Sequence, residues 1–189
     1  MKGAVCLRVI AGTARRVPLI APQGLNTRPT SDRAKESLFS ILGGRVSGAR
    51  FLDLFCGSGS IGIEALSRGA KEAVFVENSS AALKTIHANL TKTKLERTAD
   101  VMAVTVKEAI VVLAAKCRRF DIIFLDPPYA DDFLTQTLKD LESAGILADG
   151  GLIVAETDSQ LTVETPDVLT LEDTRTYGRT RFLFLSLGA

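Results

Sequence analysis

The sequence predicts a doubly wound α/β domain: a Rossmann-like, mostly parallel sheet of seven strands that ends in an antiparallel hairpin. Three observations predict it. From residue 50 onward, short apolar runs alternate with segments of helical spacing, which is typical of a parallel sheet covered on both faces. A glycine-rich turn, residues 56–62, follows the first of these runs. Two final runs, residues 168–175 and 181–187, lie too close together for a helix between them and indicate the hairpin.

The individual elements follow from spacing and from turn residues. A helix is predicted to begin near residue 31, because Asp32 suits a first turn and apolar residues recur at positions 34, 38, 41 and 42. Gly43 and Gly44 end it. The five further strands are predicted over residues 51–55, 73–77, 101–106, 122–126 and 152–155. Helical spacing occurs between them, at positions 83, 86 and 90, at 109, 112 and 113, and at 134, 138 and 141.

Length and composition bound the class of protein. The chain has 189 residues, of which 46% are hydrophobic and 24% are charged, as in one globular domain and unlike a disordered or fibrous chain. No apolar run approaches the roughly 20 residues that cross a bilayer. The N-terminus lacks the apolar stretch of a signal peptide, and the three cysteines lack the spacing of disulfides or metal ligands. We therefore expect a cytoplasmic protein with no membrane contact and no metal.

Basic residues are concentrated near the N-terminus. Residues 1–45 contain eight basic and two acidic residues, a net charge of +6, whereas residues 46–189 contain 15 basic and 20 acidic residues, a net charge of −5. Such asymmetry indicates a basic arm that faces a polyanion, although a merely solvated basic surface would show the same pattern. Because proline and glycine interrupt residues 1–30, we divide the chain into an arm with its helix, residues 1–45, and a main domain, residues 46–189.

Three acidic residues mark the expected ligand site. Asp53 lies in the first predicted sheet strand, Glu77 ends the second and Asp126 ends the fourth. In an open parallel sheet the binding crevice lies at the carboxyl ends of the strands. We therefore expect the three carboxylates to face one site.

The glycine-rich turn is a candidate nucleotide loop. Gly57, Gly59 and Gly62 fit the pattern G-x-G-x-x-G, and Glu77 follows Gly57 by 20 residues, the interval at which an acid binds a ribose diol. A dinucleotide and S-adenosylmethionine both fit such a loop. Asp53 favours S-adenosylmethionine, because a carboxylate repels a pyrophosphate but attracts a cationic amino acid tail.

The motif Asp126-Pro127-Pro128-Tyr129 follows a predicted buried strand. The two prolines stiffen the loop and leave carbonyl oxygens as acceptors. The Asp126 carboxylate and the Pro127 carbonyl together suit the two hydrogens of an exocyclic amine, and Tyr129 supplies a flat face for a base. Accepting both hydrogens helps to aim the nitrogen lone pair at a methyl donor, so the motif indicates amino methylation.

Together these motifs resemble the class I S-adenosylmethionine-dependent methyltransferases and, more narrowly, the bacterial RsmD family. The resemblance covers nearly the whole chain, with Arg28-Pro29-Thr30 as its family-level signature. The matching segments are residues 8–12, 27–39, 51–59, 62–70, 74–77, 126–129 and 177–178. The resemblance implies methylation of the N2 amine of a guanine in 16S ribosomal RNA, nucleotide 966 of that RNA. It also implies a substrate within a small ribosomal subunit or an assembly intermediate, and nothing in the sequence demands more than a monomer.

The resemblance also implies roles for individual residues. The catalytic motif that holds the guanine would consist of Asp126, Pro127, Pro128 and Tyr129. The S-adenosylmethionine site would consist of Asp53, Gly57, Ser58, Gly59, Glu77, Asn78, Glu108 and Asp126. The RNA contacts would be Arg8, Arg15, Arg28, Thr30 and Arg33. Departures from the family pattern occur at residues 16–17, 78–79 and 107–109.

Other functions remain open at this stage. The same chemistry would suit N6-adenine methylation of DNA or RNA, or methylation of a protein glutamine amide, although a sequence-specific DNA enzyme would be expected to carry a separate recognition domain. A nicotinamide-dependent oxidoreductase shares the glycine pattern, and a non-catalytic RNA-binding protein shares the basic arm.

Overall fold

A seven-stranded mixed sheet forms the centre of the molecule. The computed structural model describes residues 7–21, 32–127 and 131–188. The strands are β1 (Arg50–Leu54), β2 (Glu72–Val76), β3 (Ala99–Met102), β4 (Phe120–Leu125), β5 (Leu147–Asp158), β6 (Leu169–Tyr177) and β7 (Thr180–Leu187). The helices are α1 (Asp32–Leu42), α2 (Ser60–Ser67), α3 (Ser80–Thr93), α4 (Val106–Ala115) and α5 (Asp131–Ala144). Short 3₁₀ turns cover Gly43–Arg45 and Glu96–Thr98.

The strand order is β3-β2-β1-β4-β5-β7-β6. Strands β1 to β5 are parallel to their neighbours, whereas β7 runs antiparallel to both β5 and β6. The predicted doubly wound sheet with a terminal hairpin is confirmed. Because β1 pairs with both β2 and β4, the carboxyl ends of these three strands lie side by side at one edge, which we call the carboxyl edge.

Two predicted strands have a boundary that differs from the structure by three residues or more. The strand predicted over residues 101–106 ends at Met102, and α4 begins at Val106. The cause is a capping box, in which the Thr105 hydroxyl accepts from the Glu108 amide and the Glu108 carboxylate accepts from the Thr105 amide. The strand predicted over 152–155 is only the central part of β5, whose pairing with β4 shifts register between Phe120 and Ile122.

The sheet buries both faces. One face packs against α1, α2, α3 and the N-terminal segment, residues 7–21, and the other packs against α4 and α5. Buried phenylalanines on the first face include Phe51, Phe75 and Phe124. Within the described ranges, no helix is long and apolar enough to cross a membrane.

The N-terminal segment folds back on itself and lies against α2. The Leu19 amide donates to the Leu7 carbonyl at 2.7 Å, and the Thr13 amide donates to the Ser67 carbonyl at 2.8 Å. Gly12 has a φ of +82°, and a Cβ there would lie 1.7 Å from the Ser67 carbonyl oxygen. Only glycine allows this close approach. The described part of the arm thus shares a core with the main domain, while the domain division itself stays a prediction.

Candidate active site

Asp53 is buried at the end of β1, beneath the glycine turn. Its Oδ2 accepts a hydrogen bond from the Gly62 amide at 2.9 Å. A Cβ at residue 62 would lie 2.4 Å from the Phe75 ring, so the helix can approach the strand this closely only with glycine there. Burial raises the pKa of Asp53 to about 7; the Gly62 hydrogen bond lowers it in part, and the charge of Glu77 raises it further. A cation beside Asp53 would favour the ionised form of this carboxylate.

The turn between β1 and α2 exposes backbone toward the carboxyl edge. Phe55, Gly57 and Gly59 have φ values of 60°, 53° and 74°, so three of five consecutive residues have left-handed backbone. Around Gly57 a Cβ would meet no atom within 4 Å, which leaves open space on that side of the loop. The loop has the shape that a ligand close to the backbone needs.

Glu77 links this turn to the start of α3 by hydrogen bonds. Its carboxylate accepts from the amides of Gly57, Asn78 and Ser79 at 3.0, 2.9 and 2.8 Å. The side chain is half-buried. A carboxylate has about four acceptor positions. The three amides occupy three of them, so Glu77 keeps one position, on Oε2, for a ribose hydroxyl.

Asn89 is a buried residue of α3 that the sequence reasoning missed. Its amide nitrogen donates to the carbonyls of Ile20 and Ser58, both at 3.0 Å, and its Oδ1 accepts from the Ile20 amide at 2.8 Å. Asn89 thereby joins the N-terminal segment to the predicted cofactor residue Ser58. The sequence signal is a polar residue in the apolar stripe of α3, which can be interpreted only once the packing partner is known.

Asp126 lies at the end of β4, and Glu156 is its neighbour on β5. The parallel register of β4 and β5 pairs Leu125 with Ala155, so the next residues, Asp126 and Glu156, lie side by side. Glu156 is buried and Asp126 is half-buried. Burial, followed by the charges of Glu156 and Asp53, raises the pKa of Asp126 well above its usual value. Pro127 is buried next to it, and Pro128 and Tyr129 lie outside the described residues.

The remaining predicted cofactor residues lie at the surface or in the turn. Asn78 is exposed at the start of the segment before α3. Glu108 is also exposed, and its hydrogen bonds to Thr105 lower the pKa of its carboxyl. These bonds serve the capping of α4, so a contact of Glu108 with adenine stays a prediction. Cys56 is buried in the turn, and burial raises the pKa of its thiol well above the usual value, which argues against a nucleophile there.

The basic residues of the N-terminal region have different surroundings. Arg8 forms an ion pair with Asp32 at 3.0 Å, whereas Arg15 and Arg33 are exposed and have no ion pair within the part of the chain that the structure describes. Arg28 and Thr30, the residues of the family signature, lie outside the described residues. The proposed RNA contacts of all five residues stay predictions.

A buried ion network joins the N-terminal segment to α1 and α2. Glu64 is fully buried and accepts from the amides of Ile10 and Ala11 at 2.7 and 3.0 Å and from Arg68 at 2.7 Å. The Nζ atom of Lys35, also fully buried, lies 3.8 Å from Glu64 and donates to the Arg8 carbonyl. Burial lowers the pKa of Lys35, and Glu64 partly offsets this. The sequence reasoning missed this network.

Comparison with known proteins gives the family of the chain. A family model described as conserved hypothetical protein 95 matches residues 7–186. The chain belongs to this family, the RsmD-type methyltransferases.

Two relatives and one solved structure illustrate the likeness. Ribosomal RNA small subunit methyltransferase D of Escherichia coli is 38% identical, over 80% of this chain and 75% of the relative. The protein of the same name in Haemophilus influenzae is 35% identical, over 91% of this chain and 89% of the relative. The solved Escherichia coli protein yhhF has a TM-score of 0.82 and 34% identity, and covers 97% of this chain and 99% of that one.

The residues of this RsmD-type site fit S-adenosylmethionine, which is the cofactor of the chain. The buried Asp53 carboxylate suits a cationic amine, the open side of Gly57 admits a ligand against the backbone, and Glu77 has one acceptor position left for a ribose hydroxyl. When bound, S-adenosylmethionine supplies an electrophilic methyl group. The chain must then hold a nucleophile beside it, and the role of Asp126 in doing so stays a prediction.

Proposed function

We propose that this RsmD-type methyltransferase transfers a methyl group to the exocyclic N2 amine of a guanine in 16S ribosomal RNA, at nucleotide 966. The observation that carries the proposal is the position of Asp126 at the end of β4, beside β1 with its glycine turn and Asp53. An acceptor side chain next to a cofactor loop suits an amine that must be oriented rather than strongly activated. The names of the relatives support ribosomal RNA as the substrate.

The chemistry assigned to the chain is orientation and proton acceptance. The Asp126 carboxylate and the Pro127 carbonyl accept the two N–H hydrogens of the amine, which turns the nitrogen lone pair toward the methyl carbon. Bound S-adenosylmethionine would supply the methyl group and leave as a neutral thioether, and the methylated nitrogen would become acidic. Asp126 is then placed to accept the proton, and its raised pKa makes its carboxylate a better base than an ordinary one.

The proposal includes the state in which the enzyme acts. We propose a monomer that acts on the RNA within a small ribosomal subunit or an assembly intermediate. Because ribosomes are cytoplasmic, the proposed reaction is cytoplasmic too. Gel filtration together with assays on free RNA and on particles tests both points.

The deciding experiment identifies the methylated nucleoside. The protein is incubated with labelled S-adenosylmethionine and small-subunit particles that lack the modification, and the RNA is digested to nucleosides and separately mapped by primer extension. Label in N2-methylguanine at one nucleotide supports the proposal. Label only in N6-methyladenine contradicts it. An Asp126→Ala variant serves as the control for methyl transfer by a contaminant.

A binding measurement tests the cofactor separately from the substrate. Calorimetry with S-adenosylhomocysteine should show binding to the wild-type chain, whereas NADH should give no heat of binding. Tight binding of NADH alone would instead support an oxidoreductase. Binding of S-adenosylhomocysteine without methyl transfer to any RNA would contradict the proposed substrate and leave the cofactor assignment intact.

A further inference from the structure

A groove lies between the outer face of α1 and the turn that joins β6 to β7. It is shallow and open to solvent, and its volume is about 520 Å³. The lining residues are Arg33, Glu36, Ser37, Ser40, Ile41 and Tyr177. One aromatic ring, one arginine and two hydroxyls are therefore brought together in a space large enough for one nucleotide.

The groove opens at the same edge of the sheet as the active site. The register of β5 with β7 pairs Asp158 with Thr180, so the β6–β7 turn lies at the carboxyl edge. The contacts of Lys35 with Glu64 and of Arg68 with the Phe39 ring show that α1 and α2 run in the same direction. Because α2 starts at the carboxyl edge, the first turn of α1, with Arg33, lies there as well.

The groove is close enough to Asp126 for one RNA strand to reach both. In the sheet order, β6 is three strands from β4. Neighbouring strands lie about 4.8 Å apart, so β4 and β6 are roughly 14 Å apart across the sheet. Tyr177 pairs with Thr180, and Thr180 with Asp158, three residues beyond the partner of Leu125. The end of β6 therefore lies roughly 10 Å further along the strands and roughly 17 Å from the end of β4. A few nucleotides of an extended strand span this distance. A strand whose guanine is held at Asp126 can therefore reach the groove without a second RNA molecule.

The chemistry of the lining residues is that of a single-stranded nucleic acid site. The Tyr177 ring is half-buried and packs against Phe182, with 6.1 Å between the ring centroids, so its position is fixed. Arg33 is exposed and forms no ion pair with any described residue, so it is free to contact a phosphate. The hydroxyls of Ser37 and Ser40 suit the ribose 2′-OH, and Glu36 can accept from a base N–H.

We propose that this groove is a second RNA subsite, which binds one unpaired nucleotide a few positions from the target guanine. This inference rests on the proposed function. The base stacks on Tyr177, and Arg33 contacts the adjacent phosphate. Stacking of this kind is tolerant of sequence, so the subsite recognises an unpaired, flexible stretch around the guanine and thereby contributes to the choice of target.

The test uses short single-stranded RNAs that contain one guanine, in which each flanking nucleotide is replaced in turn by an abasic one. Affinity is measured by fluorescence anisotropy with the full chain. For the wild type we expect one flanking position at which loss of the base weakens binding about 10-fold. Tyr177→Ala should bind the intact RNA about as weakly as the wild type binds the RNA that is abasic at that position. Removing the base there should not weaken binding by Tyr177→Ala any further. Tyr177→Phe, which keeps the ring and its contact with Phe182, should behave as the wild type.

Two controls separate the subsite from folding and from the cofactor site. Calorimetry with S-adenosylhomocysteine should give the same Kd for Tyr177→Ala as for the wild type. If Tyr177→Ala unfolds at the assay temperature, Tyr177→Leu replaces it, because leucine keeps an apolar contact but offers no ring. The charge of Arg33 is tested apart from these: Arg33→Gln should weaken binding of the intact RNA, whereas Arg97→Gln, at the opposite edge of the sheet, should change it far less.

The outcomes distinguish the subsite from the proposed function. If the wild type methylates RNA while Tyr177→Ala and Tyr177→Leu respond to every abasic position as the wild type does, the subsite is overturned and the proposed function stands. If the wild type neither binds nor methylates any guanine-containing RNA or particle, the proposed function fails first. A Tyr177→Phe variant as weak as Tyr177→Ala would contradict stacking and favour a role of the hydroxyl.

Discussion

Asp53 is the residue that we propose to bind the positively charged amine of the cofactor. Its pKa of about 7 arises mainly from burial. We therefore expect the affinity for S-adenosylhomocysteine to rise between about pH 6 and about pH 8, because Asp53 ionises in this window while the ligand amine stays protonated. Calorimetry across this range checks the prediction. Asp53→Asn, which cannot ionise, should bind weakly at every pH. A wild-type affinity that is constant with pH would contradict this assignment.

The same pKa has a consequence for the stability of the ligand-free protein. The folded-state pKa of Asp53 is above its usual value of 3.8, so the folded state retains a proton that the unfolded chain loses. The contribution to stability is present at low pH and is lost as the pH rises toward 7, at roughly 1.4 kcal/mol per pH unit. Urea unfolding should show a smaller loss for Asp53→Asn than for the wild type between pH 5 and pH 7. Identical pH profiles for the two proteins would contradict the raised pKa.

Glu77 and Asp126 should separate cofactor binding from methyl transfer. Glu77 accepts from three backbone amides, and we propose that it also binds the ribose, whereas Asp126 is proposed to hold the substrate amine. We expect Glu77→Ala to raise the Kd for S-adenosylhomocysteine at least about 10-fold, and Asp126→Ala to lower kcat about 100-fold with little change in that Kd. Asp121→Ala, at the other end of β4, is the matched control for both measurements. Equal effects of the two variants on Kd and kcat would contradict this division.

The three acids at the carboxyl edge could be predicted from sequence because strand ends in a parallel sheet meet at one edge, whichever strands are neighbours. Asn89, Glu64 and Lys35 could not. Their roles depend on which backbone segment packs against each helix, and the local sequence pattern does not identify that segment. A buried polar residue in an apolar stripe signals that some partner exists, but it does not identify the partner.

At the scale of elements, the contact of α1, α2 and the N-terminal segment depends on Glu64. Removing its carboxylate leaves Lys35 buried beside unpaired backbone amides. We expect Glu64→Ala to lower the free energy of unfolding by about 3 kcal/mol or more. Glu72→Ala, which breaks the half-exposed pair with Arg118, should cost less than about 1 kcal/mol. Urea unfolding measures both, and similar losses for the two variants would show that the buried network contributes no more than a surface pair.

Most elements could be predicted because the apolar periodicity is strong, and the two misplaced boundaries have local causes. The strand predicted to reach residue 106 ends earlier because Thr105 and Glu108 form a capping box, a signal that the sequence contains and that apolar spacing alone overlooks. The early start of β5 at Leu147 depends on a register shift against β4, which is a tertiary property.

For the whole molecule, the net charge of +1 is the sum of +6 on residues 1–45 and −5 on residues 46–189, so the two charges are separated along the chain. Asp53, Glu77 and Asp126 lie at the carboxyl edge, while exposed arginines of the basic region lie on the N-terminal segment and on α1. We propose that one edge of the molecule thereby binds a cationic cofactor and approaches a polyanion. The net charge of residues 1–45 predicts the approach to a polyanion, but it does not predict where α1 lies relative to the sheet.

This division predicts the salt dependence of RNA binding. Arg15 is exposed and has no ion pair among the described residues, so Arg15→Glu should weaken binding to RNA. It should also reduce the magnitude of the slope of log Kd against log salt by about 0.7 for each phosphate that the variant no longer neutralises. Arg97→Glu makes the same change of charge at the opposite edge, just before β3. It should shift affinity far less and leave the slope almost unchanged. Anisotropy titrations over a range of salt concentrations measure both slopes. If Arg15→Glu keeps the wild-type slope, or if Arg97→Glu reduces it equally, the N-terminal segment is not the RNA-facing surface.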